Sequence, residues 1–543
     1  MRTNRIWAAA SAASGITLAL ALAACSGSSY SSGSKPAATS SVFTYDTYTQ
    51  VMIDGWDPAT EYSNGIIAMS NMYQTLTHYN PVTHQVDPLL ATSWTHSANG
   101  LTWTFQLRHG VYFHTGRLMT AQAARAAILR TKKLGGGASY IWGAVKTIDT
   151  PSQYTLVFHL SYPSPLDLEA SADYSAYIYD TQLPEAAGAG GSLTKWLNTP
   201  HDAGTGPYTL QTWNNGQEFE VILKKFPRYW GGWHGAHYTK VVFRVVPQDT
   251  TAAQLLRSGQ VNFVEQMSPT LWQSLKGTAG VKLVSSTSWQ NLLAQLNSKV
   301  LSLPIRQAIS YGTDYAGITA ALGGAATPSS GIVPAGLFGH FTNLPGYTYD
   351  PKKATQLLHS AGYGPGKKPL KLTLTYTAGD NNEQVVASLL KSSLAKLNIS
   401  LSVQPLAWAT QWSKAKSSSA SGRQDIFMEY WWPDYADPYS WFVNLLQGEK
   451  QPYFNLSYYS DSPLNQQIGR VESLVATNRS AGSALYRDMQ VEILKQAPIV
   501  FLYNTNYQYA MTRNFSGFQV NPGYPNVIFV YDLRPASPAS PAS

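Results

Sequence analysis

At 543 residues, 44% of them hydrophobic, the chain is long enough for several layers of structure around a large core. Only 13% of residues are charged, well below the ~25% of ordinary soluble domains. The formal charge of +8 falls to +6 without Arg2 and Arg5, and no dense Lys/Arg run exists, which argues against a nucleic-acid partner.

The elements begin with an N-terminal address. Arg2 and Arg5 precede an apolar stretch over 6–24, with the length and flanks of a secretory signal. No second apolar run is long enough to span a membrane. The segment ends Leu22-Ala23-Ala24-Cys25, which resembles a bacterial lipobox. That resemblance implies removal of 1–24 and lipidation of Cys25. Cys25 is the only cysteine, so an intrachain disulfide and a cysteine metal cluster are excluded. The Ser/Gly-rich stretch from 26 to 41 reads as a flexible tether. At the other end, 535–543 repeats Pro-Ala-Ser and is too poor in apolar residues to pack.

Between tether and tail, strands are predicted at 102–107, 154–160, 241–246 and 372–376, each bounded by Gly, Pro or Asn turns. Helical spacing appears at 121–134, 252–258, 305–311, 353–361, 383–397 and 484–496. Interleaved strands and helices over this length predict an α/β protein of two or more lobes. The 108–116 run predicts a hairpin with glycine at positive φ. His114 reads as a packed residue, not a metal ligand. Gly204 to Pro207 reads as a turn, lacking the Lys-Ser/Thr pair of a phosphate loop. Asp350-Pro351 reads as a helix N-cap followed by proline in the first turn.

Several stretches, in order, resemble the peptide/nickel family of solute-binding proteins, which includes oligopeptide- and dipeptide-binding members. They are Tyr73-Gln74-Thr75-Leu76, Pro88-Leu89-Leu90-Ala91-Thr92-Ser93-Trp94 and the run from Thr104 to Gly116. Met119-Thr120-Ala121-Gln122-Ala123 follows, without the acid usual there. Gly204-Thr205-Gly206-Pro207-Tyr208 and Phe226-Pro227-Arg228-Tyr229-Trp230 come next, the latter with Phe in place of Asn. Ile305-Arg306-Gln307-Ala308 with Asp314, and Tyr349-Asp350-Pro351 through Tyr363, complete the set.

The segment 430–442 is the candidate site. Seven aromatic residues crowd it, and Pro433 and Pro438 argue for an irregular loop. Planar faces and a carboxylate suit recognition of a small ligand; a buried aromatic turn whose aspartates cap backbone amides is the structural alternative. The resemblance implies that Asp434 pairs with a peptide's terminal ammonium and that Trp431 and Trp408 flank it. Trp432, Tyr430 and Tyr435 complete the expected site, and Asp437-Pro438 is expected to be structural. In some members an arginine three residues before the tryptophan helps hold a carboxylate. Here that residue is Met428, and Arg423 is the nearest cation in sequence.

The resemblance further implies a two-lobed α/β periplasmic-binding-protein-like (type II) fold with an extra subdomain inserted in the first lobe. Lobe I is expected at 45–79, 196–288 and 500–534, the insertion at 80–195 and lobe II at 289–499. The implied function is the lipid-anchored binding component of an ABC importer on the extracytoplasmic face of the membrane. It would act as a monomer, take a peptide and deliver it to permease subunits. An oligosaccharide, a metal chelate or another small solute is the alternative cargo. No cofactor, metal or catalytic residue is expected. A secreted hydrolase is the rival class: Ser-x-x-Lys occurs at Ser388–Lys391 and Ser393–Lys396, but without companion motifs. A lipid-anchored adhesion or scaffold protein is a third reading.

Overall fold

Alternation and capping place the first elements where the sequence predicts them. The strand Thr102–Leu107 buries Trp103, Phe105 and Leu107 at every second position. The helix Ala121–Leu134 starts at Thr120, whose hydroxyl accepts the Ala123 N–H at 3.2 Å, and stops at Gly135, with φ of 66°. A computed structural model of the chain describes residues 41–47, 55–183, 192–216, 219–524 and 526–536. The signal segment, Cys25, most of the tether and the tail from 537 lie outside the described residues.

Four antiparallel strands form a small sheet in the order Ala91–His96, Thr102–Leu107, Thr155–Leu160, Val145–Ser152. The larger sheet has eleven strands. One end runs Ile399–Leu406, Leu370–Thr377, Ile426–Trp431, of which the first two are parallel neighbours. The other end runs Phe263–Val264, Val42–Thr47, Lys240–Val245, Glu220–Lys225, Tyr208–Asn214. The first described strand thus begins three residues before the expected start at 45. Between the two ends lie the long antiparallel strands Val281–Leu296 and Ile499–Thr512. Their register breaks between Thr287 and Asn291.

These two strands serve three apolar clusters. Val281 and Ala510 pack in a small cluster with Leu256 and Trp272. Ile499, Phe501 and Tyr507 join the largest, which reaches Phe105 and Tyr486. Leu292, Ala294, Leu296, Val500 and Leu502 join a third with Leu374 and Leu390. Alternate residues of one strand therefore feed different faces of the sheet.

The motifs of the sequence have structural work here. A Cβ at Gly206 would stand 2.6 Å from the Met72 carbonyl carbon, and one at Gly204 would collide with the Met72 oxygen. Only glycine permits that approach, and the Gly206 N–H donates to Met72 O at 2.8 Å. His114 pairs with Asp202 through Nδ1, and its Nε2 lies 2.9 Å from Gly206 O. Burial alone would raise the Asp202 carboxyl. The His114 ring and the Leu210 and Thr209 donors hold it below its ordinary value instead. Asp350 caps the helix Pro351–Ser360, accepting the Lys353 N–H at 2.9 Å.

The 108–116 run differs from a regular hairpin. It closes with one isolated bridge, Tyr112 to Leu118, and Gly116 takes φ of 90°. Pro535, expected at the start of the tail, pairs with Phe515 instead. Ser388 and Ser393 lie on the ordinary helix Asn381–Ala395.

Candidate binding cavity

The aromatic segment is more regular than its prolines suggest. Tyr430 and Trp431 end the strand Ile426–Trp431, and Tyr439 starts the helix Tyr439–Leu445. Pro438 sits at that helix's N-cap, where no intrahelical N–H is required of it, and Pro433 lies just past the strand. Irregular backbone is confined to the six residues before the N-cap. The strand is held by the pairs Asn291–Trp431, Leu292–Tyr430 and Leu293–Glu429. This register carries the strand's end to the side of the break in the long strands.

There the chain surrounds a cavity of about 460 Å³. Trp408, Tyr430, Trp431, Trp432 and Asp434 all line it. Trp408 opens the helix Trp408–Ala415 and meets Phe427 edge-on at 5.9 Å. Trp431 packs edge-on against Phe454 at 5.2 Å, and its indole N–H donates to Ser440 at 3.3 Å. Tyr62, from far earlier in the chain, meets Trp412 in a tilted ring contact at 5.0 Å.

Asp434 is half-buried in this wall. Its Oδ2 accepts the Tyr140 hydroxyl at 2.6 Å and the Asn444 amide at 3.4 Å. Its backbone carbonyl accepts the Tyr524 hydroxyl. Burial pushes the carboxyl up to about 6, against the lowering effect of the Tyr140 and Asn444 donors.

Tyr435 is a correction: it does not line this cavity. It is buried in the largest cluster and borders a separate small void with His78, Tyr79 and Trp289. Asp437 is tied to structure, as expected. Its Oδ1 accepts the Tyr439 N–H at 3.0 Å and the Tyr486 hydroxyl at 2.6 Å. Met428 is buried in the third apolar cluster. Arg423 is not among the lining residues; its Nε donates to Ser417 O at 2.7 Å and its guanidinium lies over Tyr458.

The sequence reading missed most of the polar wall. Glu265, Asp380, Glu383 and Glu429 line the same cavity, and no Lys, Arg or His does among the described residues. All four are buried. Asp380 caps the helix Asn381–Ala395 by accepting the Glu383 N–H at 2.8 Å, and Glu383 accepts the Thr377 N–H at 2.6 Å. Glu429 accepts the Gln295 amide at 2.5 Å. Burial pushes Glu265 up to about 7 and Glu429 up to about 8. It raises Glu383 as well, and the neighbouring Asp380 charge adds to that. The one local signal was the Asp-x-x-Glu capping box at 380–383, which marks a helix start and not a cavity. Among the described residues no cluster of His, Cys, Asp and Glu could hold a metal, and no helix is long and apolar enough to cross a membrane.

Comparison with known proteins places this geometry. The family described as bacterial extracellular solute-binding proteins, family 5 Middle, matches residues 85–453. The chain is 28% identical over 479 residues to the probable D,D-dipeptide-binding periplasmic protein DdpA of Escherichia coli (strain K12), covering 86% of this chain and 89% of that one. The ABC transporter-associated periplasmic binding protein DppA from Helicobacter pylori, solved in complex with peptide STSA, matches at TM-score 0.80 and 23% identity, over 91% of this chain and 98% of that one. The dipeptide binding protein from Pseudoalteromonas sp. SM9913, in complex with Met-Leu, matches at TM-score 0.80 and 19% identity, over 91% and 100%. At these scores the shared fold is the two-lobed α/β one.

Proposed function

The chain belongs to the bacterial extracellular solute-binding proteins of family 5, and on that premise we propose that it captures peptides between two lobes and delivers them to the permease of an ABC importer. It is a binding protein and not an enzyme, as its relatives are. The observation that carries the peptide reading is Asp434, a carboxylate in an aromatic wall. A peptide's α-ammonium loses hydration on entering such a cavity and needs an opposing charge to recover it. The Trp faces add a cation–π contribution of roughly 0.5–2 kcal/mol. The volume lies within the ~300–1,000 Å³ of small-ligand sites. The peptide-binding relatives support the same reading.

We take the lobes as 45–79 with 196–288 and the C-terminal return, and 289 onward, with 80–195 inserted in the first. The register break between Thr287 and Asn291 supports the first crossing. Val500, Leu502 and Tyr503 pack with Leu372 and Leu374, which supports a return crossing a few residues after the expected 500. Closure then flexes two strands at one level, a hinge motion. Cys25 carries the lipid that holds the protein at the membrane.

Mass spectrometry of ligands retained by the purified protein tests the cargo: peptides are expected, and a retained sugar or chelate would overturn the reading. X-ray scattering should show a smaller radius of gyration with a retained peptide than after its removal; an unchanged radius would remove the hinge. Cys25→Ser should release the protein to the medium or leave it unprocessed. A processed Cys25→Ser protein that still fractionates with membranes would refute the anchor.

A further inference from the structure

The described lining of the cavity offers five carboxylates and no cation. Asp434 accounts for one. The other four come from distant parts of the chain: Glu265 just after the strand Phe263–Val264, Asp380 and Glu383 at a helix start, and Glu429 on the strand Ile426–Trp431. Their donors are not those of Asp434: Asp380, Glu383 and Glu429 accept the Glu383 N–H, the Thr377 N–H and the Gln295 amide, and Asp434 accepts Tyr140 and Asn444. The Asp380 charge raises Glu265, against the lowering effect of a Thr47 hydrogen bond, and it raises Glu383 together with Glu429. The influences on Asp434 are burial, Tyr140 and Asn444. By their hydrogen-bond partners, the cavity's carboxylates therefore fall into two centres.

Hydrogen-bond accounting distinguishes the second centre from ordinary helix capping. Asp380 and Glu383 accept backbone N–H groups and so have structural roles. Glu265 is 3% exposed, and its Oε2 meets no donor among the described residues. The cavity-lining amides nearby in the wall show the same deficit. Gln508 and Asn506 give their NH2 groups to Gly323 O and Gly324 O, and their oxygens are left without donors. Asn382 Oδ1 is likewise without a donor. A wall with spare acceptors is complementary to a ligand rich in N–H.

We infer that Glu265, with Asp380, Glu383 and Glu429 around it, forms a second cation-binding subsite that takes the ammonium or guanidinium of a basic side chain, so that the preferred cargo is a small peptide with two positive centres. This rests on the peptide reading of Asp434. An ammonium brings three donors and a guanidinium five, enough to meet Glu265 and the neighbouring amide oxygens together. It also explains how the site works without a cation opposite the ligand: the cargo's net charge is positive, and its carboxylate is not the group that is gripped. Burial raises Glu265 and Glu429, which accords with a subsite that holds protons when empty and exchanges them for the ligand's charge.

The test uses the purified, ligand-stripped protein and matched peptides: Lys-Ala, Ala-Lys and Ala-Ala-Lys against the same three with norleucine for lysine, so that lysine is offered at the first, second and third position from the α-ammonium. Calorimetry should show at least one lysine peptide binding about tenfold or more tighter than its norleucine partner. Glu265→Gln should erase that preference, read as the ratio of lysine to norleucine affinity within the one variant. Glu429→Gln serves as the second variant if the first does not fold, and it should reduce the same preference. If norleucine peptides bind as well as lysine peptides, or if the preference survives both variants, the subsite is refuted and the peptide reading stands. If no peptide binds but 1,5-diaminopentane does, competing with no α-amino acid, the two-cation cavity stands and the peptide reading falls. Failure of all of these probes overturns both.

Discussion

The two acidic ends of the cavity solve one problem in different ways. Asp434 stands half-buried, with Oδ2 already held by the neutral donors Tyr140 and Asn444. Those donors favour the ionised form and oppose burial, and the carboxyl settles at about 6. Glu265 and Glu429 are buried more deeply and are less well served, and they rise to about 7 and about 8. One end is largely ionised at neutral pH before a ligand arrives. The other gains its full charge when a cation enters. A carboxylate's readiness is thus set by its local donors, not by its residue type.

The sharpest way to break this contrast is to remove the prepared charge. Asp434→Asn keeps the shape, and truncating one side of a buried charged pair costs about 2–5 kcal/mol, so peptide affinity should fall ~30-fold or more. N-acetylation of the peptide should cost wild type as much and the Asn variant far less, because both changes delete one interaction. Calorimetry on the four combinations decides it, and simple additivity would mean that Asp434 does not meet the amine.

The unprepared end should show itself in the stability of the ligand-free protein. Glu429 has a folded pKa of about 8 against an ordinary 4.5. A raised folded pKa stabilises the fold fully below the unfolded value, and that contribution is lost as pH rises through the folded one. Melting temperature should therefore decline between pH 5 and 8, each such group contributing at most about 1.4 kcal/mol per pH unit. Glu429→Gln cannot ionise and should flatten the decline. An unchanged slope in that variant would show that Glu429 does not titrate there.

The smallest effect tests the preparation itself. Tyr140→Phe deletes a 2.6 Å donor to Asp434. A hydrogen bond of this kind contributes about 0.5–1.5 kcal/mol net, so affinity should fall roughly 2- to 10-fold, with the loss growing as pH falls through about 6. A pH-independent loss would assign Tyr140 to packing alone.

The two ends were unequally legible in the sequence. Trp431, Trp432 and Asp434 lie within four residues of each other, so one glance at the chain collects them. The local rules that found Thr102–Leu107 and Ala121–Leu134 depend on neighbours a few positions away, and there the caps and the alternation agreed. Glu265 and Glu429 are brought to one wall by the long strands and their register, which no local pattern carries. The prolines misled for a related reason. Pro433 and Pro438 stand at the borders of elements, where they are compatible with strand and helix on either side. Tyr435 was misplaced because membership of an aromatic run says nothing about which way each ring turns.

The long central strands bear on how the chain matures. Ser288 donates to the carbonyl of Thr505, a partner 217 residues later in the sequence. Val281–Leu296 cannot complete its ladder, and each of the three apolar clusters lacks some of its members, until Ile499–Thr512 has arrived. Contacts of such separation form late, because the loop entropy is spent before they return anything. The last strand therefore acts as a clasp on the order of events: the sheet is fastened at its middle by a partner 217 residues further along the chain.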